Sequence, residues 1–245
     1  MTPRPTSDLA PLALLHEDRD VVAVDKPAGL PVIPARGEDA AACLQHRLER
    51  QVGRRLWVVH RIDRDASGVV LFARNAEAHR ALSLAFEHRD VHKSYVAIVA
   101  GRLTPPAGRI DVALHAARKG KTRPAQPGEP GAQEARTEYA TEGTWRVAGA
   151  DVSRVSASPL TGRHHQIRVH LRSAGAPILF DPLYGRGFGP AALTDAPASR
   201  LALHAARVDA PSPSGDGRLV VACPLAADLA DLVAWLDARD EATGA

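Results

Sequence analysis

Apolar positions in this chain fall mostly in runs of four to six residues, separated by polar turns, and two such runs bracket its most charged loop. Leu56 to Val59 and Val69 to Ala73 read as strands, and His60-Arg61-Ile62-Asp63-Arg64-Asp65-Ala66-Ser67-Gly68 reads as the loop between them. Upstream, Val21 to Val24 is a β-type run ending in the turn Lys26-Pro27-Ala28-Gly29-Leu30-Pro31. Helical spacing predicts an amphipathic helix over Glu38 to Gln51, burying Ala42, Leu44 and Leu48. It predicts another over Asn75 to Arg89, with Asn75 as N-cap and Ala78, Leu82 and Phe86 in i, i+4, i+8 register. Strands are predicted at Ser94 to Val99, Ile110 to Leu114, Arg136 to Val147, Val152 to Ser158, Leu201 to Val208 and Leu219 to Ala222. Helices are predicted at His164 to Ser173 and at Pro224 to Arg239, with Pro224 near the first turn. Many strands, few helices and no β-α-β alternation give an α+β class, with a mixed, mainly antiparallel sheet flanked by helices.

Within the charged loop, Asp63 lies between Arg61 and Arg64, and nearby cations favour an ionised carboxylate. An oriented, ionised Asp acts as a nucleophile or an electrostatic stabiliser. The same loop has a plain structural reading, in which Asp63 or Asp65 caps backbone amides and Ser67-Gly68 closes the bend.

With 245 residues, 45% of them apolar, the chain is long enough for a substantial core, as one large domain or two small ones. Residues 1–14 read as a loose leader, 15–240 as a single catalytic domain and 241–245 as a tail. Basic residues outnumber acidic ones 31 to 28, giving +3, and all but four of the 31 are arginine. A mildly basic, arginine-rich chain permits an anionic partner without demanding one. The segment from about 117 to 133, which carries Arg118, Lys119, Lys121 and Arg123 among prolines and glycines, reads as a mobile basic loop. It is either an RNA-backbone contact or a solvated connection between strands. Cys43 and Cys223 have no metal-type spacing and read as buried, unpaired thiols of a reducing cytoplasm. No apolar run is long enough to predict a membrane span, and the N-terminal stretch has no secretory pattern.

The loop resembles the H-R-L-D-x-x-T-S-G signature of the RluA-type pseudouridine synthases, and further segments fit the same family in order. They are the Lys26-Pro27 turn, Lys93-Ser94-Tyr95 with the apolar run after it, Leu160 to Leu171, and Arg200 to Ala205. Departures are Ile62 for Leu, Ala66 for Thr, His164 for Thr, and Phe180 for Gly ahead of Asp181-Pro182. The resemblance implies a pseudouridine-synthase-like sheet with a central active-site cleft, and isomerisation of uridine in structured RNA, tRNA or ribosomal RNA. Such a reaction needs neither cofactor nor metal, since nothing is oxidised, reduced or lost in it; a monomer is the default expectation, and the cysteines place the chain in the cytoplasm. By the same resemblance, Asp63 is the catalytic nucleophile and Arg168 its ion-pair partner. Tyr95 stacks on the flipped uracil and is a candidate for taking the C5 proton. Arg61, Arg64, Thr161, Gly162, Arg163, His165 and Gln166 are assigned to substrate binding, with Arg61 filling the space that the base vacates. No S4-type domain is expected ahead of residue 20, and RNA recognition is expected to fall to the catalytic domain itself.

Read from the residues alone, Tyr95 opens a strand and is placed at a sheet edge facing a cleft, and His164, Arg168 and Arg172 share one cationic helix face. His164, His165 and His170 are spaced so that they do not meet on one helix face, which speaks against a metal. A carboxylate pair of the glycoside hydrolase type, or an RNA-binding protein without catalysis, are the competing functions.

Overall fold

A computed structural model of the protein describes residues 10–34, 37, 39–185, 193–215 and 217–241. Residues 1–9 of the expected leader and 242–245 of the tail, together with Glu38, lie outside the described residues.

The first strands are β1 (Leu14–Glu17) and β2 (Val21–Lys26), followed by α1 (Leu44–Val52) and the short β3 (Trp57–Val58). Then come β4 (Ser67–Ala73), α2 (Ala76–Glu87), β5 (His92–Ala100), β6 (Ala107–Asp111), β7 (Leu114–Ala117) and β8 (Lys121–Pro124). The chain continues through β9 (Arg136–Val147), β10 (Ala150–Pro159), α3 (Gln166–Ser173), β11 (Leu203–Pro211), β12 (Arg218–Ala222) and α4 (Ala227–Asp237). One sheet runs in the order β1-β2-β4-β11-β5-β10-β9-β6, with β3 beside β4 and β12 beside β11. The β7–β8 hairpin stands apart from it. All pairings in the large sheet are antiparallel except β4 with β11, so it is mixed and mainly antiparallel as expected.

The half of the sheet around β2 and β4 is covered on both faces. Val22, Val24, Val70 and Phe72 pack in a cluster with Leu44 and Leu48 of α1 and Leu229, Leu232 and Leu236 of α4. Val21, Ala23, Val69 and Leu71 pack on the other face against Ala78 and Leu82 of α2. Burial on both faces is the reason these strands are continuous apolar runs rather than alternating ones. By contrast, β9 alternates buried and exposed residues over much of its length, as a strand with one wet face does.

Several elements differ from expectation. The helix predicted over 38–51 begins at Leu44 after a short 3-10 turn, leaving Ala42 exposed and Cys43 buried at the N-cap. The strand expected at 110–114 is the end of β6 and the start of β7, broken between Asp111 and Leu114. The segment expected as a mobile basic loop contains a 3-10 turn and β8. Thr122 of β8 is buried, and its amide donates to the Tyr184 hydroxyl at 2.8 Å, while Arg123 pairs with Glu129 across the returning turn. Helix α4 starts three residues after Pro224. Asn75 caps α2 as expected, accepting from the Ala78 amide at 2.8 Å, and both cysteines are buried and free.

Candidate active site

The loop that carries Asp63 leaves β3 and enters β4, and it is pinned from several sides. Lys26, fully buried at the end of β2, donates to the carbonyls of Pro27, Leu30 and Arg64, each at 2.8 Å. Burial pushes its pKa down to about 7, yet three acceptors for three protons is the coordination of an ammonium, so Lys26 clasps the loop as a cation up to neutral pH. Gly29 and Arg64 lock the same two turns together, through Gly29 N to Arg64 O at 2.9 Å and Arg64 Nε to Gly29 O at 3.0 Å. His60 accepts the Leu71 amide on Nε2 at 2.9 Å, and burial, with the Lys93 charge beside it, lowers its pKa to about 3, so the ring is neutral. At the start of β4, Ser67 Oγ bonds His204 Nδ1 at 2.9 Å. Gly68, at φ +110°, lets the parallel strand β11 come so close that a Cβ there would lie 2.2 Å from the Ala205 carbonyl oxygen.

Asp63 receives Arg168 Nη1 on Oδ2 at 3.1 Å. Arg168 comes from the first turn of α3, where His165 at the N-cap takes a left-handed backbone. Its guanidinium is almost wholly buried and is gripped from behind by Asp181, Nε to Oδ2 and Nη2 to Oδ1, both at 2.8 Å. Asp181 Oδ1 also accepts the amides of Leu183 and Tyr184 at 2.9 and 3.0 Å. Burial alone would raise the Asp181 carboxyl, but the Arg168 contacts and these amides outweigh it and hold the group below its usual range. In turn the two carboxylates outweigh burial at Arg168 and raise its pKa. Just before Asp181, Phe180 sits at φ +57°, in the region glycine favours, which gives a physical reason for the usual glycine at this place in the pattern.

Tyr95 stands on β5, a central strand between β11 and β10, not at the edge that its sequence position suggested. It is buried, with Ala205 and Ala157 as its cross-strand neighbours, and it faces the same cavity as Asp63. Burial and the Asp63 charge both raise the phenol above its ordinary pKa, so it is a neutral phenol at physiological pH.

Asp63, Tyr95 and Arg168 therefore meet at one narrow cavity of about 90 Å³, with Arg61, Gly162, Arg163 and His165 on its walls. Thr161 and Gln166 also border it, but their polar atoms are occupied. Gln166 Oε1 accepts from Thr161 Oγ1 and the Arg163 amide, and its Nε2 donates to Arg136 O and Thr137 Oγ1. Both are buried and build the wall rather than offer a hand to substrate. Arg64 is off the cavity, turned toward Gly29. Burial lowers the His165 pKa to about 4, and its Nδ1 bonds the Tyr184 hydroxyl at 2.8 Å, so it enters the site as a neutral ring. Among the described residues Asp63 is the one carboxylate on the cavity wall, so a second acid for a hydrolase pair is not brought to it.

One reading of α3 changes. His164 precedes the helix, Arg168 is buried and Arg172 is exposed, so the three do not form one cationic face. The three histidines also diverge. His164 stacks on His165 with centroids 3.6 Å apart, while His170 is buried between Thr137 Oγ1 and the Val112 carbonyl. The sequence reading missed Lys26, Asp181 and the Ser67–His204 pair as parts of the site. A lysine rare in composition and an Asp directly after a position where the pattern has glycine were the available signals.

A family profile described as RNA pseudouridylate synthase matches residues 20–173. Ribosomal large subunit pseudouridine synthase D of Nitrosomonas europaea is 34% identical over 241 residues, an alignment spanning 93% of this chain and 66% of that protein. The dual-specificity RNA pseudouridine synthase RluA of Escherichia coli K12 is 36% identical over 194 residues, 79% of this chain and 84% of that protein. Among solved structures, human RNA pseudouridylate synthase domain containing 4 superposes with a TM-score of 0.73 at 25% identity, covering 92% of this chain and 93% of that one.

Proposed function

The chain belongs to the RNA pseudouridylate synthase family, and from that premise we propose that it isomerises specific uridines of tRNA or ribosomal RNA to pseudouridine, with Asp63 as the nucleophile. The observation that carries this reading is the buried relay in which Asp181 grips Arg168 and Arg168 presents one N–H to Asp63 inside a cavity walled by Tyr95. A carboxylate held this way is aimed before substrate arrives, which is what a nucleophile with a single target atom needs.

The reaction breaks the bond between N1 of uracil and C1′ of the ribose, turns the base and joins C5 to C1′. N1 gains a proton and C5 loses one, and nothing leaves. The target uridine must be out of its stack to enter so narrow a cavity, and Arg61, exposed and on the cavity wall, fills the gap left in the strand. Tyr95 acts as a neutral phenol, a flat wall for the uracil and a hydrogen-bond donor, because its raised pKa works against a phenolate. The C5 proton then goes to Asp63 once its carboxylate is released, since this is the cavity's own carboxylate. The protein works in the cytoplasm, where its RNA is.

Base-resolution mapping of pseudouridine in total RNA from cells with the wild-type protein, a deletion and Asp63→Ala tests the reading. The expected result is one or a few sites lost in both mutants while purified Asp63→Ala still binds RNA. A map unchanged by the deletion overturns it.

A further inference from the structure

Beside the narrow cavity lies a second groove, about 450 Å³, with which it shares Arg61, Lys93, Thr161, Gly162 and Arg163. Its other wall is the C-terminal end of α2, with Phe86 and Arg89, and its floor includes Leu160. Three features of this groove bear on what it can bind.

The first is its cations. Eleven described arginines lie within 4.0 Å of a carboxylate. Arg61, Arg89 and Lys93 have no such partner among the described residues, and Arg163 is held only through Nε by the Glu134 carbonyl. Glu87 is the sole acid on the groove wall. The second is how Lys93 is placed. It is half-buried, burial lowers its pKa, its Nζ lies 3.8 Å from where a Cβ on Gly162 would stand, and the Phe86 ring is 5.9 Å away. A cation kept there without a counter-charge is one whose counter-charge comes from outside. The third is the apolar surface between the cations. Leu160 is 38% exposed, one of few large apolar side chains so open, and Phe86 is half-buried with its ring stacked on His60 at 5.0 Å. Arg89 is set at the rim by a left-handed backbone, φ +62°, at the end of α2, a position that usually takes glycine.

Cations without a described counter-ion, set around a half-buried aromatic and an exposed aliphatic side chain, match a phosphodiester with an unstacked base. We propose that this groove binds the nucleotide next to the flipped uridine in single-stranded form, its phosphate between Lys93 and Arg89 and its base against Phe86 and Leu160. The proposal rests on the function given above, and the shared wall supplies the continuity, since a strand leaving the narrow cavity passes directly into the groove.

The test uses the full chain and four proteins: wild type, Arg89→Asn, which suits the left-handed backbone, Phe86→Leu, which preserves most of the packing, and Leu160→Ser at the exposed position. Binding of fluorescein-labelled oligouridylates three, five and seven nucleotides long is measured across salt concentrations, and 4-thiouridine oligomers are crosslinked and the peptides mapped. Each substitution is expected to weaken binding about ten-fold. Arg89→Asn lowers the slope of log K against log salt by about 0.7, the share of one phosphate on a single strand. Crosslinks fall on peptides containing Phe86 or Leu160. With RNA from deletion cells as substrate, kcat/KM falls, mostly through KM. Unchanged affinity and slope in all three variants, or crosslinks confined elsewhere, overturn the groove while leaving the enzyme reading intact. If wild type forms no pseudouridine, the function fails, and the binding and crosslinking data still decide the groove.

Discussion

Asp181→Asn changes one atom of the buried relay and nothing of its shape. The wild-type carboxylate accepts two hydrogen bonds from Arg168 and two from backbone amides, and the side chains of Asp181 and Arg168 are 1% and 2% exposed. An asparagine amide accepts on one side only, so a donor faces a donor at the other. Arg168 then keeps a buried positive charge with Asp63, 21% exposed, as its remaining counter-ion. Removing one partner of a buried pair costs about 3–5 kcal/mol. For a chain of this size that corresponds to a fall in Tm of roughly 6–20 °C. The catalytic effect is separate: an arginine free to shift by about 1 Å mis-aims the Asp63 carboxylate, for a loss of roughly 100-fold in single-turnover rate. The sign with pH is fixed. Asp181 is held below its unfolded pKa, so the pair stabilises the fold above that value and the contribution is lost as pH falls toward the folded pKa; in Asp181→Asn the stability curve is flatter there. Calorimetry and single-turnover pseudouridine formation on deletion-strain RNA read both effects. The double variant Arg168→Met, Asp181→Asn separates them, because it removes the unpaired buried charge while the Asn carbonyl still accepts the Leu183 and Tyr184 amides, so stability returns to within about 2 kcal/mol of wild type while activity stays absent. A Tm within about 2 °C of wild type with an unchanged rate would refute the reasoning, since Arg168 would then be aimed by something other than Asp181.

Lys26→Met removes the donor from three carbonyls, of which that of Arg64 keeps the Gly29 amide; a cost of about 2–6 kcal/mol follows, with faster amide exchange in the loop, read by urea unfolding and hydrogen exchange. A midpoint equal to wild type would mean that the clasp is idle. Gly68→Ala drives a methyl into the Ala205 backbone at a φ that alanine resists, so the expected outcome is a loss above about 4 kcal/mol or no soluble protein, and a well-folded variant would contradict the close approach of β4 and β11. Acid should also weaken the fold above the carboxylate range. His60 and His165 titrate near 3 and 4 in the fold against an ordinary 6.5, so between those values the unfolded chain binds protons that the native state refuses. Stability then rises with pH, by up to about 1.4 kcal/mol per unit for each group. His165→Asn, which suits its left-handed backbone, takes its own share out of that slope, and an identical slope in the variant would remove His165 from the account.

What the sequence made legible was local. The bracketing strands, the loop between them and the capped helix α2 follow from apolar runs, charge clustering and Asn75, all within a dozen residues of one another. Asp63, Tyr95 and Arg168 came through their likeness to a family, and they do meet at one cavity. What was hidden depends on partners far away in sequence. Tyr95 looked like an edge residue because nothing near it says that β11, more than a hundred residues later, inserts beside β5. Gln166 looked like a substrate ligand because its amide is exhausted only by Thr137 and Arg136 across the fold. The basic segment looked unstructured because its order comes from Tyr184 and from a Glu129 ion pair, neither of which alters its composition. Asp181 was read as part of a departure rather than as the grip on Arg168, since its role depends on a helix thirteen residues upstream.

The parallel contact of β4 with β11 joins Ser67 to His204, 137 residues apart, and the Asp63–Arg168 bond spans 105. Closing spans of that length is entropically costly and late, so the site belongs to the slow end of folding rather than to any early hairpin. During synthesis, the loop bearing Asp63 emerges long before the strand that fixes it. A nascent or clipped chain that has not yet delivered residues 203–205 carries Asp63 without the strand that frames its loop. Under the proposed function, such a chain is expected to form no pseudouridine until the sheet is complete.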